Sequence, residues 1–390
     1  MMVSEIFVFS SLTVAPQLSP ELLRSFFVNT DIFKIGTRMR SLSKKPRSSS
    51  LDTVLWLVLL AVPFVAWAQQ VGSGPARPAI HAGRSVEDWS SLSLAGSDLH
   101  SEKPVLGAKD VYPEFTRELF QVQWRLGDPI DLYVIRPKGV AKPPVILYLY
   151  SYPSETDRFR DNEYCTRLVQ GGFAAVGFVS ALTGHRYTMR PMKQWFVSEL
   201  QEALGSSVHD VQMVLTFLSS RNDLDMNRVG MFGTGSGATV AILAAAADPR
   251  IKAIDLLEPW GDWPDWLAQS SLIPEEERPK YLQAEFLKKV APLDPVLWLP
   301  QLKSQRIRIQ NIADDTVTPT IAQERIKSVA PAAAKVQHFE DGQRFYSTAS
   351  GGRIFRWIKD QFQAAPQSQP AADKAPASSS RAADRGAGSQ

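Results

Sequence analysis

Cysteine is almost missing from this chain: Cys165 is the single one in 390 residues. No disulfide within the chain can brace the fold, so stability has to come from a hydrophobic core. Hydrophobic residues make up 44% of the sequence, ample for one large core or two small ones. Histidine is also scarce. His81, His100, His185, His209 and His338 are scattered, with no His-x-x-x-His pair and no Cys/His spacing. That leaves no pattern for a metal centre, and no cofactor is expected. Nor is there an excess of one charge, since 43 Lys+Arg against 40 Asp+Glu leave a net +3. Without a basic field, nucleic acid is not an expected partner. No internal repeat is present.

What the N-terminal part does have is an apolar run over residues 54–68, VLWLVLLAVPFVAWA. A membrane-crossing helix needs about 20 apolar residues, and this run is shorter and interrupted by Pro63. A basic segment, MRSLSKKPRSSS, precedes it, and Ala66-Trp67-Ala68 closes it. Basic region, apolar core and Ala-x-Ala end have the form of a secretory signal peptide over residues 39–68. The expectation is export to the periplasm or outside the cell, with no stable membrane anchor once the signal is cleaved; an uncleaved anchor or a buried helix is the alternative. Residues 1–38 do not fit a signal n-region, and Met39 starts a signal of ordinary length. Residues 1–38 are therefore expected to be an upstream extension, absent from the mature protein.

Residues 69–85 read as a linker. Residues 364–390 are rich in Ala, Pro, Ser and Gly and lack apolar periodicity, so a disordered tail is expected there. Between them, residues 86–363 carry alternating strand and helix signals. FQVQW and IDLYVI flank RLGDP as a hairpin, and PPVILYLY is a continuous apolar run of the kind a strand covered on both faces shows. FAAVGFV, RVGMF, KAIDLL, IRIQNI and AKVQHF are further strands. Helices are expected near residues 165–170, over 197–219, in ATVAILAAAA and in GGRIFRWIKDQF. Strands alternating with helices imply a mostly parallel sheet with helices on both faces.

The segment HDVQMVLTFLSSRNDLDMNRVGMFGTGSGA runs helix, turn, strand and Gly-rich bend. In that order it resembles the α/β-hydrolase superfamily, in particular the dienelactone-hydrolase, acetyl-xylan-esterase and prolyl-oligopeptidase-like branch. The resemblance covers about residues 120–362 and implies an α/β-hydrolase fold with a small helical cap inserted at about residues 259–295. In such a fold the strand bends sharply into a helix, and the nucleophile stands at the apex between two small residues. Gly233 and Gly237 fill the small positions, which puts Gly235 where the family has Ser, Cys or Asp. A frame shifted by one would put Ser236 at the apex instead, as an alternative nucleophile. In the unshifted frame the Ser236 N–H belongs to the oxyanion hole, and its hydroxyl is expected to cap the helix.

The resemblance also assigns an acid and a base. Asp315, four residues before Pro319, matches the acid position, with Asp314 as its neighbour. In FEDGQRF, Gln343 stands where the family's histidine is expected, and an amide has no pKa suited to a general base near neutral pH. His338, five residues earlier, would point into the sheet layers, and His185 matches a loop histidine that is structural in the family. After PPVILYLY the family commonly has His-Gly or Gly-Gly; here Ser151-Tyr152-Pro153 follow, leaving the Tyr152 N–H as a donor while Pro153 has none. Trp260 and Trp263, with Trp266, either line a ligand site or fasten the cap. Together these readings imply a hydrolase fold that has lost its standard Ser-His-Asp chemistry and keeps a small-molecule or protein partner. The alternative is an active secreted carboxyl-ester or related serine hydrolase using Ser236 and Asp315.

Overall fold

The computed structural model describes residue 92 and residues 99–363, apart from 126, 153–156, 182–185, 187–195, 303–304 and 350–355. The upstream extension, signal, linker and tail expected from the sequence lie outside the described residues, as do Pro153 and His185. Everything described belongs to the unit Ile80–Gln390.

Nine strands form a single sheet: β1 Val105–Val111, β2 Phe115–Val122, β3 Ile130–Pro137, β4 Pro144–Leu149, β5 Ala174–Gly177, β6 Asp225–Thr234, β7 Ile251–Leu257, β8 Arg306–Ile312 and β9 Lys335–Phe339. Their order across the sheet is β1-β2-β3-β5-β4-β6-β7-β8-β9. The first three pair antiparallel, β3 meets β5 antiparallel, and every pair from β5 to β9 is parallel. The reason lies in the residues. PVILYL in β4 is buried along its whole length, as a central parallel strand covered on both faces requires.

The helices are α1 Asn162–Val169, α2 Leu200–Ser219, α3 Ser236–Ala247, α4 Trp263–Gln269, α5 Arg278–Tyr281, α6 Ala284–Val290, α7 Pro295–Trp298, α8 Thr320–Val329, α9 Gly342–Ala349 and α10 Arg356–Gln363. In α3, SGATVAILAAAA is buried from Ser236 to Ala245. Small side chains let this helix lie close on β6 and β7 while α2 packs over it. Helices α4–α7 lie between β7 and β8, where the cap was expected, and the helical segment runs a few residues past the expected end.

Three features escaped the sequence reading, the first being helix α8, since no helix was expected between β8 and β9. β1 was not expected, because VLGAKDV is exposed at all but one position and so shows no alternation to read. Helix α9 begins at Gly342, so the segment expected as a turn bearing Gln343 is instead a first helical turn.

The topology decides where a site can sit. From β4 the chain goes to β5 on one side and later to β6 on the other, so the crossovers leave β4 in opposite directions. Such a switch point opens a crevice at the carboxyl ends of the strands. Ser151 and Tyr152 leave β4 there, opposite the β6–α3 bend.

Candidate functional site at the strand–helix bend

Gly235 is the apex of the bend. It joins the end of β6 to the first residue of α3 with φ 51° and ψ −120°, a conformation costly for any residue with a side chain. The Gly235 N–H donates to Leu257 O at 2.9 Å, and its carbonyl accepts from Ala238 N and Thr239 N at 3.0 and 3.1 Å. The neighbours fix the register. A side chain at Gly233 would collide with Gly237 O and meet Ala238 Cα at 2.6 Å, and one at Gly237 would collide with Leu149 O and meet Tyr150 O at 3.0 Å. The two positions where backbones pass closest are therefore 233 and 237, and the residue midway between them is 235.

The space that a side chain at the apex would take is filled from across the crevice. A Cβ on Gly235 would collide with Ser151 Oγ, meet Ser151 Cβ at 2.8 Å and lie 3.0 Å from Trp260 Nε1. Ser151 Oγ is itself buried and has no hydrogen-bond partner. The Ser151 N–H donates to Thr234 Oγ1 at 3.0 Å, which pins the residue beside the bend.

Ser236 departs from its expected contact. Its side chain is 2% exposed and makes no cap on α3; its Oγ accepts the Tyr152 N–H at 2.9 Å. The physical reason is proximity: the β4 loop crosses directly over the first turn of α3, so an outside donor reaches the hydroxyl. One contact thus engages both the Tyr152 N–H and the Ser236 hydroxyl.

Asp315 lies in the turn after β8, and its carboxylate accepts Val317 N at 3.1 Å and Thr318 N at 3.2 Å. Asp314 beside it is exposed. Facing Asp315 is a carboxyl the sequence reading missed. Glu258 follows β7 directly, is 7% exposed and holds φ 50° without being glycine. Its Oε1 accepts from Ile312 N, and its Oε2 accepts from Gln323 Nε2 at 3.2 Å. Burial first, and the Asp315 charge second, push Glu258 up to about 9. Burial raises Asp315 as well. The two carboxyls are within hydrogen-bonding reach, and the interaction favours the proton on Glu258 and the charge on Asp315. A charged residue ending an apolar strand, just before Pro259, was the available signal.

The expected base positions stand apart from this cluster. Gln343 is exposed in the first turn of α9, and its side chain makes no hydrogen bond among the described residues. His338 is exposed on β9 rather than turned into the sheet layers, because β9 is the outermost strand and no described helix covers that position. His209 is fully buried within α2.

The tryptophans form packing. Trp260, Trp263 and Trp266 are 2%, 1% and 0% exposed. Trp260 stacks on Trp266 with centroids 4.8 Å apart, and Trp263 meets Trp266 edge-on at 5.8 Å. Thr239 Oγ1 donates to Trp260 O at 2.6 Å, tying the base of the cap to α3. Asp294 accepts the N–H groups of Asp262 and Trp263, each at 3.0 Å, so the two ends of the cap are joined. Ser270 Oγ donates to Val317 O at 2.6 Å, fixing the cap to the loop that carries Asp315.

The arrangement of strands, bend and cap can now be compared with known folds. An acetyl xylan esterase from Paenibacillus sp. R4 superposes with a TM-score of 0.54 at 16% identity, covering 70% of this chain and 92% of that one. The acylaminoacyl peptidase of Pyrococcus horikoshii superposes with a TM-score of 0.50 at 15% identity, covering 67% of this chain and 44% of that one. This chain has the α/β-hydrolase fold. The family model for X-Pro dipeptidyl-peptidase (S15 family) matches residues 127–294, a stretch that holds the bend and most of the helices between β7 and β8 but stops before Asp315 and Gln343. YtaP of Bacillus subtilis (strain 168), a hydrolase by name, is 26% identical over 144 residues, which is 32% of this chain. The match spans 46% of that relative's length.

Proposed function

We propose that this chain is an exported α/β-hydrolase-fold protein that has lost acyl transfer through a nucleophile at the bend, and that it uses the crevice for binding a small molecule or a protein. The observation that carries the reading is Gly235 at the apex with Ser151 Oγ in the room a nucleophile's side chain would need. Two further facts support it. Ser236 is turned to the Tyr152 N–H, and Gln343, at the position matching the family's base, has an amide that takes up no proton near neutral pH. With nucleophile and base both gone, only binding and residual electrostatics remain, far below an enzyme's rate. Export rests on the signal-like segment at residues 39–68, and N-terminal sequencing of the native protein tests it: a start near Gln69 is expected, and peptides from residues 1–38 would sink it.

A fluorophosphonate probe tests the chemistry. The expected result is no adduct on the folded chain. Stoichiometric labelling of Ser236 that disappears in Ser236→Ala would establish the other reading, an active serine hydrolase with Asp315 as its acid.

A further inference from the structure

We propose that a groove on one face of β1–β3 binds a linear amino acid that carries its ammonium and its carboxylate at opposite ends. The groove shares no residue with the bend or with the Glu258–Asp315 pair, and it binds whether or not the crevice is catalytic.

The register of three strands builds the groove. Ala108 on β1 pairs with Leu119 on β2, Leu119 pairs with Tyr133 on β3, and Asp110 pairs with Arg117. Directly opposed residues share a face of the sheet, so these five side chains stand together. The turn Asp157–Arg160, which follows β4, adds Arg160 to the lining. The six residues bound a cavity of about 180 Å³, more than the ~150 Å³ that admits a benzene-sized ligand.

Arg117 is the brace of this groove. Its guanidinium donates to Asp110 Oδ2 at 3.0 and 2.7 Å, to Tyr112 Oη at 3.0 Å and to Asn162 Oδ1 at 3.1 Å. It also donates to the Phe159 and Arg160 carbonyls at 3.2 and 2.7 Å, which ties the 157–160 turn to the sheet. Asp110 gives only Oδ2 to these bonds, and no hydrogen bond among the described residues reaches its Oδ1. On the other side Tyr133 is 3% exposed and stacks on Phe159 with centroids 5.8 Å apart. Its hydroxyl accepts Arg160 Nε at 3.0 Å, while its own O–H meets no acceptor among the described residues. One end of the groove thus offers a carboxylate oxygen, and the other a phenolic donor beside a guanidinium. Leu119 and Ala108 form the apolar floor between them.

Spacing sets the shape of the ligand. Strands lie about 4.8 Å apart and rise about 3.4 Å per residue, so Asp110 and Tyr133, two strands and two residues apart, are about 12 Å from each other at the backbone. The adjacent charges of an α-amino acid fall short of both ends. A chain with about five methylenes between its charges crosses the floor and meets both.

The test titrates the full chain with 6-aminohexanoate by calorimetry, with hexanoate, hexylamine and leucine as comparisons. Half-saturation by 6-aminohexanoate is expected at about 1 mM. Hexanoate and hexylamine each lack one charge, leucine has its charges adjacent, and all three should bind at least about tenfold more weakly. Tyr133→Phe keeps the ring on Phe159 and should weaken 6-aminohexanoate about fivefold at an unchanged thermal midpoint. Asp110→Asn should erase the preference for 6-aminohexanoate over hexanoate; if it lowers the midpoint by loosening Arg117, Tyr133→Phe carries the test. No saturable binding of 6-aminohexanoate, equal affinity for any of the three comparisons, or binding undiminished in Tyr133→Phe overturns the proposal.

Discussion

Two buried polar clusters in this molecule solve the same problem in opposite ways. Behind the β2–β3 hairpin, Arg125 and Arg186 face Asp128 and Asp210. Arg186 binds both Asp128 oxygens at 2.9 and 2.6 Å and reaches Asp210 at 2.7 Å; Arg125 reaches Asp128 at 2.9 Å and Asp210 at 2.7 Å. Trp124 Nε1 adds a bond to Asp210 at 2.9 Å. Two cations match two anions. Burial alone would raise Asp210, yet Arg125 and Arg186 more than reverse it and hold the carboxyl below its usual range. At the crevice, no ion pair reaches Glu258 or Asp315 among the described residues, and a proton does the neutralising instead. The first cluster is insensitive to pH near neutrality, while the second depends on it.

The comparison breaks most severely at the balanced cluster. Asp210→Asn removes one of two anions and leaves buried guanidinium charge uncompensated, which costs about 3–5 kcal/mol. Urea unfolding at pH 7 should show that loss. A change below about 1 kcal/mol would mean that the network contributes nothing beyond packing.

A smaller effect is expected at the bend. Gly235→Ser puts a side chain at φ 51° and drives it into Ser151, costing about 1–3 kcal/mol from overpacking. Adding Ser151→Gly opens the space and should recover part of that loss, leaving the cost of the backbone conformation. The same geometry bears on recovering ester hydrolysis: Gly235→Ser with Gln343→His is not enough, and Ser151→Gly has to accompany them. If the single and double variants unfold at the same denaturant concentration, Ser151 does not fill the vacant position.

The legible parts of the protein were those whose cause is local. The apolar run of β4, the stripe of α2 and the glycine spacing around residue 235 each declare their role within a dozen residues. β1 did not, because it is held by its ladder with β2 and both its faces are open. Asp210 did not, since its partners stand 85 and 24 residues away. Ser151 looked like a damaged oxyanion loop; that it fills the Gly235 vacancy depends on a contact between residues 84 positions apart. Glu258 was overlooked for the same reason, as its burial and strained φ arise only when β7, β8 and α8 assemble around it.

The smallest change sharpens the contrast most, because it acts on a pH profile. Glu258 has a folded value of about 9 against 4.5 for an ordinary glutamate. The folded state therefore holds a proton that the unfolded chain has released, and stability must fall as pH rises from about 4.5 to about 9. Asp210 works the other way: its lowered value gives stability that is complete above the unfolded carboxylate range and is lost only as pH falls below it. The two together predict greatest stability at mildly acidic pH, with a decline on the alkaline side that belongs to the crevice. Glu258→Gln keeps an acceptor for Ile312 N and removes the Glu258 proton, so its thermal midpoint should fall less from pH 5 to pH 9 than that of the parent. A parallel decline in both proteins would place the titrating group elsewhere, and the proton shared by Glu258 and Asp315 would lose its role in holding the crevice together.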